Sequence, residues 1–252
     1  MPLRTVRFAS IVLRTALAAA LLAACSSQSA STTPPTVGAP GTVLGDDGAY
    51  ALSPLAPITT FPGAVVGEPN AFHPGIGDYP GGGSGQTVGG IPCRATMFIN
   101  SYHVHVFLGI INRGKQVALP YAIGMFDPGP AQSGFVDTAG CYYFLHTHDS
   151  SGIVHIEAPQ NQPLTNSIYT LSRLFKVWGL QLSPTGVGPL HGEVHAFVGN
   201  VPLKQTVVSA YREFKGDPND IKLKSHEVIW LEIGKKYFPA AKLPPVTFYM
   251  EY

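Results

Sequence analysis

Charge is scarce in this sequence. Only 12% of its 252 residues are Asp, Glu, Lys or Arg, and the formal net charge is +1. Such a chain has no field strong enough to hold a phosphate backbone, so nucleic-acid binding is not expected. Sulfur is also sparse, with 3 Cys and 4 Met. The Met residues stand at 1, 97, 125 and 250 and form no soft thioether cluster of the kind that selects Cu(I). The apolar N-terminal run from Ile11 to Ala24 contains Arg14 and falls short of the ~20 residues that span a bilayer. Catalytic signatures are missing as well. No phosphate-cradling glycine loop or strand-elbow serine is present, and His226-Glu227 is followed by Val228-Ile229-Trp230 without the second His of a zinc-protease helix.

The N-terminus reads as an address. Arg4, Arg7 and Arg14 precede an apolar stretch from Thr15 to Ala24, the layout of a signal peptide over residues 1–24. Leu22-Ala23-Ala24-Cys25 resembles the lipobox of bacterial lipoproteins, which implies cleavage before Cys25 and lipidation of its thiol. The resemblance implies an extracytoplasmic protein whose membrane partner is its own lipid anchor. No Asp follows Cys25, so the outer membrane is the expected site if the host has one. The alternative is ordinary secretory cleavage with an incidental Cys. No protein partner is legible. In an oxidising compartment the remaining Cys93 and Cys141 are expected to pair as a disulfide; two thiols ligating a metal is the competing reading.

Glycine and proline, at 28 and 23 residues, are abundant and concentrated. Residues 25–90 are rich in both, contain no Lys, and carry only Asp46, Asp47, Glu68 and Asp78 as charges, which is the composition of a disordered tether. Within it, Tyr50 to Val66 has enough apolar residues to lie on the domain as an extended strap. From 91 to 252 the texture becomes β-branched and aromatic, and the expected fold is mainly β: an antiparallel, sandwich-like sheet domain with one short packed helix. Strands are read at Thr96–Ile111, Cys141–Leu145, Ile153–Glu157, Val194–Val198, Glu227–Ile233 and Val246–Tyr252, with Gly199-Asn200 as a hairpin turn. Leu171, Leu174, Phe175 and Trp178 recur at helical spacing between a capping Thr170 and a terminating Gly179, placing the helix at 170–179.

Histidine carries the chemistry. Five of the 9 His lie in two tracts, His103 and His105 in one, His146, His148 and His155 in the other. On a strand, residues at i and i+2 share a face, so His103 with His105, and His146 with His148, can each reach one ion. His155 depends on the turn Asp149-Ser150-Ser151-Gly152. If Asp149 pairs with Gly152, His155 faces His146; if Gly152 forms a bulge, which a glycine there favours, His155 faces Thr147 and Asp149 orients its ring. Asp149 and Glu157 are the carboxylates expected to hold these rings in place. Neutral imidazoles suit Zn or Cu(II). Three readings follow: a non-catalytic metal-binding protein, a metalloenzyme with three His and an open coordination position, or an interaction module whose His are structural. His73, His191, His195 and His226 read as surface or internally satisfied residues.

Tyr102-His103-Val104-His105 is similar to one His-bearing strand of copper-zinc superoxide dismutases, but their His-Gly-Gly ligand segment is absent, so only the chemical analogy is kept. A wider likeness covers most of residues 91–252. The string Leu145-His146-Thr147-His148-Asp149-Ser150-Ser151-Gly152-Ile153-Val154-His155-Ile156-Glu157-Ala158-Pro159, with Tyr102-His103-Val104-His105 before it and Val177-Trp178-Gly179 after, resembles an uncharacterised family of extracytoplasmic bacterial and archaeal proteins. The resemblance implies a shared architecture. It also implies that a third His often stands in the first tract, where this chain has Phe107.

Overall fold

A computed structural model describes residues 48–69, 71–72, 82–99, 102–159, 169–202 and 204–249. Residues 1–24, read from the sequence as a signal peptide, lie outside these, as do Cys25 and His73. Among the described residues no helix is long and apolar enough to cross a membrane.

The main sheet has seven strands. Across it run Arg212–Glu213, Val194–Asn200, Glu227–Ile233, Tyr102–Asn112, Ile153–Ala158 and Leu145–His146, and Lys115–Val117 folds back on Tyr102–Asn112. The sheet is mainly antiparallel, as expected, but its two central strands, Tyr102–Asn112 and Glu227–Ile233, are parallel. The long chain between them supplies the crossover that parallel neighbours need. Every residue of Glu227–Ile233 is buried, as a strand covered on both faces must be.

Alternation along Tyr102–Asn112 splits the interior into two cores. Val104, Val106, Leu108 and Ile110 face the larger one, where the helix Leu171–Trp178 lays down Leu171, Leu174, Phe175 and Trp178. Thr170 caps that helix by accepting from Arg173 N, and Gly179 closes it in the left-handed region at φ 85°. Phe107 and Ile111 face the second core with Trp230 and Phe197. This core is covered by a small sheet of Ile58–Thr60, Val246–Phe248 and Val207–Val208.

Several boundaries move. The first long strand starts at Tyr102 rather than Thr96, and the last ends at Phe248. Gly199 and Asn200 are strand residues, not a turn. A Cβ on Gly199 would lie 2.5 Å from Ala210 O, so glycine serves close packing there. Where a tether was expected, the described residues 48–69 lie on the domain as the strap: Ile58–Thr60 pairs in parallel with Val246–Phe248, and Ala64 is buried. Cys93 and Cys141 form a disulfide with Cα atoms 5.4 Å apart, so neither offers a thiol to a metal.

Candidate metal centre

Three adjacent strands deliver the donors. Pairing of Tyr102–Asn112 with Ile153–Ala158 sets His103 opposite Glu157 and His105 opposite His155. On the far side of Ile153–Ala158, the strand Leu145–His146 sets His146 opposite His155. His105, His155 and His146 therefore form one row across the sheet. The bulge that would have turned His155 toward Thr147 does not form. In the register adopted Asp149 falls opposite Gly152, but the ladder stops at His146 and the chain opens into a loop. Gly152, at φ 87°, gives its carbonyl to Leu108 N at 2.8 Å, and Thr147 N reaches Ile123 O at 2.9 Å. His148 sits in this loop rather than on a strand, yet its Nε2 lies 3.2 Å from Nε2 of His146.

Hydrogen bonds fix the tautomers of that pair. His146 Nδ1 lies 2.8 Å from Tyr143 O and His148 Nδ1 lies 2.6 Å from Val136 O. A carbonyl can only accept, so both rings carry a proton on Nδ1 and, when neutral, a lone pair on Nε2. Two lone pairs then face one another at 3.2 Å. Protonating one ring would relieve the clash, but burial holds His146 well below the ordinary imidazole range, and lowers His148 despite the Val136 carbonyl and the charges of Asp149 and Asp137.

The second set is equally crowded. His103 Nε2 lies 3.0 Å from His105 Nε2 and 3.3 Å from His155 Nδ1, and the last two are 3.1 Å apart. Each nitrogen of a neutral ring is either a donor or an acceptor, so in a triangle at least one side must join two of the same kind. One cation receiving three lone pairs resolves all three sides. Burial, then the neighbouring His103, His226 and His148, push His105 down to about 3. Desolvation also lowers His103, and holds His155 well below its usual range. At neutral pH the rings are in the form that binds metals.

Glu157 stands between the sets. Its Oε1 lies 3.2 Å from His103 Nε2, 3.4 Å from His155 Nδ1 and 3.9 Å from His146 Nε2. Its Oε2 is buried and has no hydrogen-bond partner. Desolvation raises its pKa to about 7. The relative exposures are 0% for His146, 2% for Glu157, 3% for His148 and 5% for His105, so the donors have little water to lose on binding. His103, His105, His148, His155 and Glu157 open onto a cleft of about 250 Å³. The Phe135 ring stacks on His148 at 4.6 Å within it.

All five expected His thus converge, and the residues His146, His148, His155 and Glu157 on one side, and His103, His105 and His155 on the other, are each placed to hold a metal ion. Glu157 faces the donor atoms directly instead of only steadying a ring. Asp149 does not orient His155: its Oδ2 accepts from Gly63 N at 2.7 Å and its Oδ1 from Ser151, pinning the strap beside the cleft. His226 departs from its expected surface or satisfied role. It is buried, its backbone N donates to His105 O at 2.9 Å, it stacks on Phe248, and neither ring nitrogen has a hydrogen-bond partner. Nothing in its flanking sequence marks this. His191 is exposed as expected, and His195 stacks on Tyr237 with Glu193 3.5 Å from its Nε2. Comparison with protein-family models, with curated proteins and with solved structures finds no match to this chain.

Proposed function

We propose that the protein is an extracytoplasmic lipoprotein, held to a bacterial membrane by lipid on Cys25, that binds a transition metal, Zn or Cu(II), through the clustered His without turning over a substrate. One observation carries the metal reading: the Nε2 lone pairs of His146 and His148 face each other at 3.2 Å in a site that disfavours protonation. An all-nitrogen and carboxylate donor set suits borderline cations. The Cys93–Cys141 disulfide is consistent with an oxidising compartment, and the lipobox-like Leu22-Ala23-Ala24-Cys25 supports the anchor. The outer membrane is the proposed address in a host that has one.

A second reading, a metalloenzyme, is favoured by the exposure of the His103, His105 and His155 set to the cleft, where an ion would keep a side open to water or substrate. Metal content of the protein purified from its native compartment tests the main reading, with His146→Ala/His148→Ala as the comparison. Equal metal in both proteins, or none in either, refutes it. Replacing Cys25 by Ser is expected to release the protein from the membrane fraction; retention there refutes the anchor.

A further inference from the structure

The donors form two sets, and one ion cannot serve both. Metal–nitrogen bonds of ~2.1 Å limit the donors around one ion to a span of ~4.2 Å. The strands bearing His105 and His146 flank Ile153–Ala158 on opposite sides and stand two strand spacings apart, ~9.6 Å. Side chains lean inward from both, but they gather at two points. On one flank the triangle of His103 Nε2, His105 Nε2 and His155 Nδ1, with sides of 3.0 to 3.3 Å, admits an ion ~2.1 Å from each corner and about 1 Å out of its plane. On the other, Nε2 of His146 and His148 converge toward His155 and Glu157.

The His155 ring lies midway. Its centroid is 4.4 Å from that of His105 and 4.5 Å from that of His148, edge-on to both at 78° and 77°. The distances to His103 and His146 are 5.5 and 5.6 Å, at 29° and 14°. Its Nδ1 meets His103 and His105 Nε2 at 3.3 and 3.1 Å, so an ion on the other flank would take its Nε2. Glu157 lies between the sets: Oε1 alone meets His103 and His155 on one side and His146 on the other, while Oε2 is buried without a hydrogen-bond partner.

We infer that this is a two-ion centre, with one metal on His103 and His105, a second on His146 and His148, and Glu157 and His155 shared between them, the His155 ring bridging as an imidazolate that releases its N–H proton to solvent when the second ion binds. The inference rests on the metal-binding reading and adds a second ion to it. The inner ion, on His146 and His148, has the more buried ligands, at 0% and 3% exposure against 16% for His103, so the outer ion exchanges first. Asp137 and Asp149, which line the cleft and act on His148, supply further negative charge beside two dications.

The test loads the metal-free full chain with Zn(II), removes loose ions, and counts metal per protein. Two Zn(II) are expected in the wild type, and one in each of the variants His103→Ala/His105→Ala and His146→Ala/His148→Ala. Brief exposure to a chelator should remove one of the two much faster. One Zn(II) in the wild type overturns the two-ion inference and leaves metal binding standing; none overturns both. Because a variant can fail by misfolding, Cu(II) spin resonance on the wild type gives an independent measure. Signal well below the copper bound at two equivalents indicates coupled ions sharing His155. Full signal at two equivalents places the ions apart and overturns the sharing.

Discussion

Glu157→Gln in the metal-free protein is a quantitative test of the site's electrostatics. Burial lifts the Glu157 carboxyl from 4.5 to about 7, so the folded state binds this proton more tightly than the unfolded state. The carboxyl therefore costs no stability below pH 4.5, an increasing amount between 4.5 and 7, and its full penalty above. At about 1.4 kcal/mol per pH unit the penalty is roughly 3 kcal/mol at pH 7 and under roughly 1 kcal/mol at pH 5. His105 acts in the opposite sense. Its folded pKa of about 3 lies below the ordinary 6.5, so its contribution is present above 6.5 and is lost on acidification, by about 2 kcal/mol at pH 5. Between pH 7 and 5 the two largely offset one another. Gln removes only the carboxyl's part. Urea unfolding in the presence of chelator should show Glu157→Gln gaining about 2 kcal/mol more over wild type at pH 7 than at pH 5. A difference between the two proteins that does not change with pH would mean the carboxyl is hydrated and ionised normally, and would refute the reasoning. With Zn(II) present the order should invert, because the carboxylate then faces a cation.

Two structural predictions are independent of metal. Gly109 sits on the second-core face of Tyr102–Asn112, where a Cβ would press into the Trp230 ring and lie 2.9 Å from Phe107, both fully buried; Gly109→Ala should cost roughly 1 to 3 kcal/mol by chemical denaturation. Removing the Cys93–Cys141 bridge, which spans 48 residues, by Cys93→Ala/Cys141→Ala should lower stability by roughly 3 to 4 kcal/mol without changing metal stoichiometry, since neither sulfur is a donor.

Local chemistry made much of this architecture legible. The strand Glu227–Ile233 appears at the bounds read from its apolar, β-branched run, and the helix follows from its spacing and caps. Pairing His103 with His105 needed only the two-residue strand period. What sequence could not decide was long-range. Whether His155 entered the cluster turned on one residue of register; Gly152 favoured the bulge, but Leu145–His146 pairs with Ile153–Ala158 so that His146 faces His155, a long-range pairing that the turn residues alone do not dictate. The apolar stretch from Tyr50 to Val66 marked a strap, but its pairing partner was out of sight for a similar reason. Ile58–Thr60 is a weak strand alone and is ordered by Val246–Phe248, nearly two hundred residues on. His226 is buried partly by Phe248 of that same segment, so its local sequence gives no sign of it.

The His-bearing face of Tyr102–Asn112 changes role between His105 and Phe107, and the change is testable. A His in place of Phe107 would stand on the same face as His103 and His105. Strand spacing alone would not keep it from the site, since His103 and His105 are also two residues apart and their Nε2 atoms meet at 3.0 Å. What separates Phe107 is its cover. Its ring packs edge-on to Trp230 at 5.3 Å, and the backbone of Gly152 comes so close that a Cβ there would lie 2.8 Å from the Phe107 ring. Phe107→His would put two polar nitrogens into this apolar wall, where an unsatisfied group costs roughly 1 to 3 kcal/mol. The expected outcome is lower stability in denaturant with the number of Zn(II) ions per chain unchanged. If Phe107→His instead bound an additional ion or bound Zn(II) more tightly at unchanged stability, the boundary between metal site and core would lie further along the strand than the packing of Trp230 and Gly152 implies.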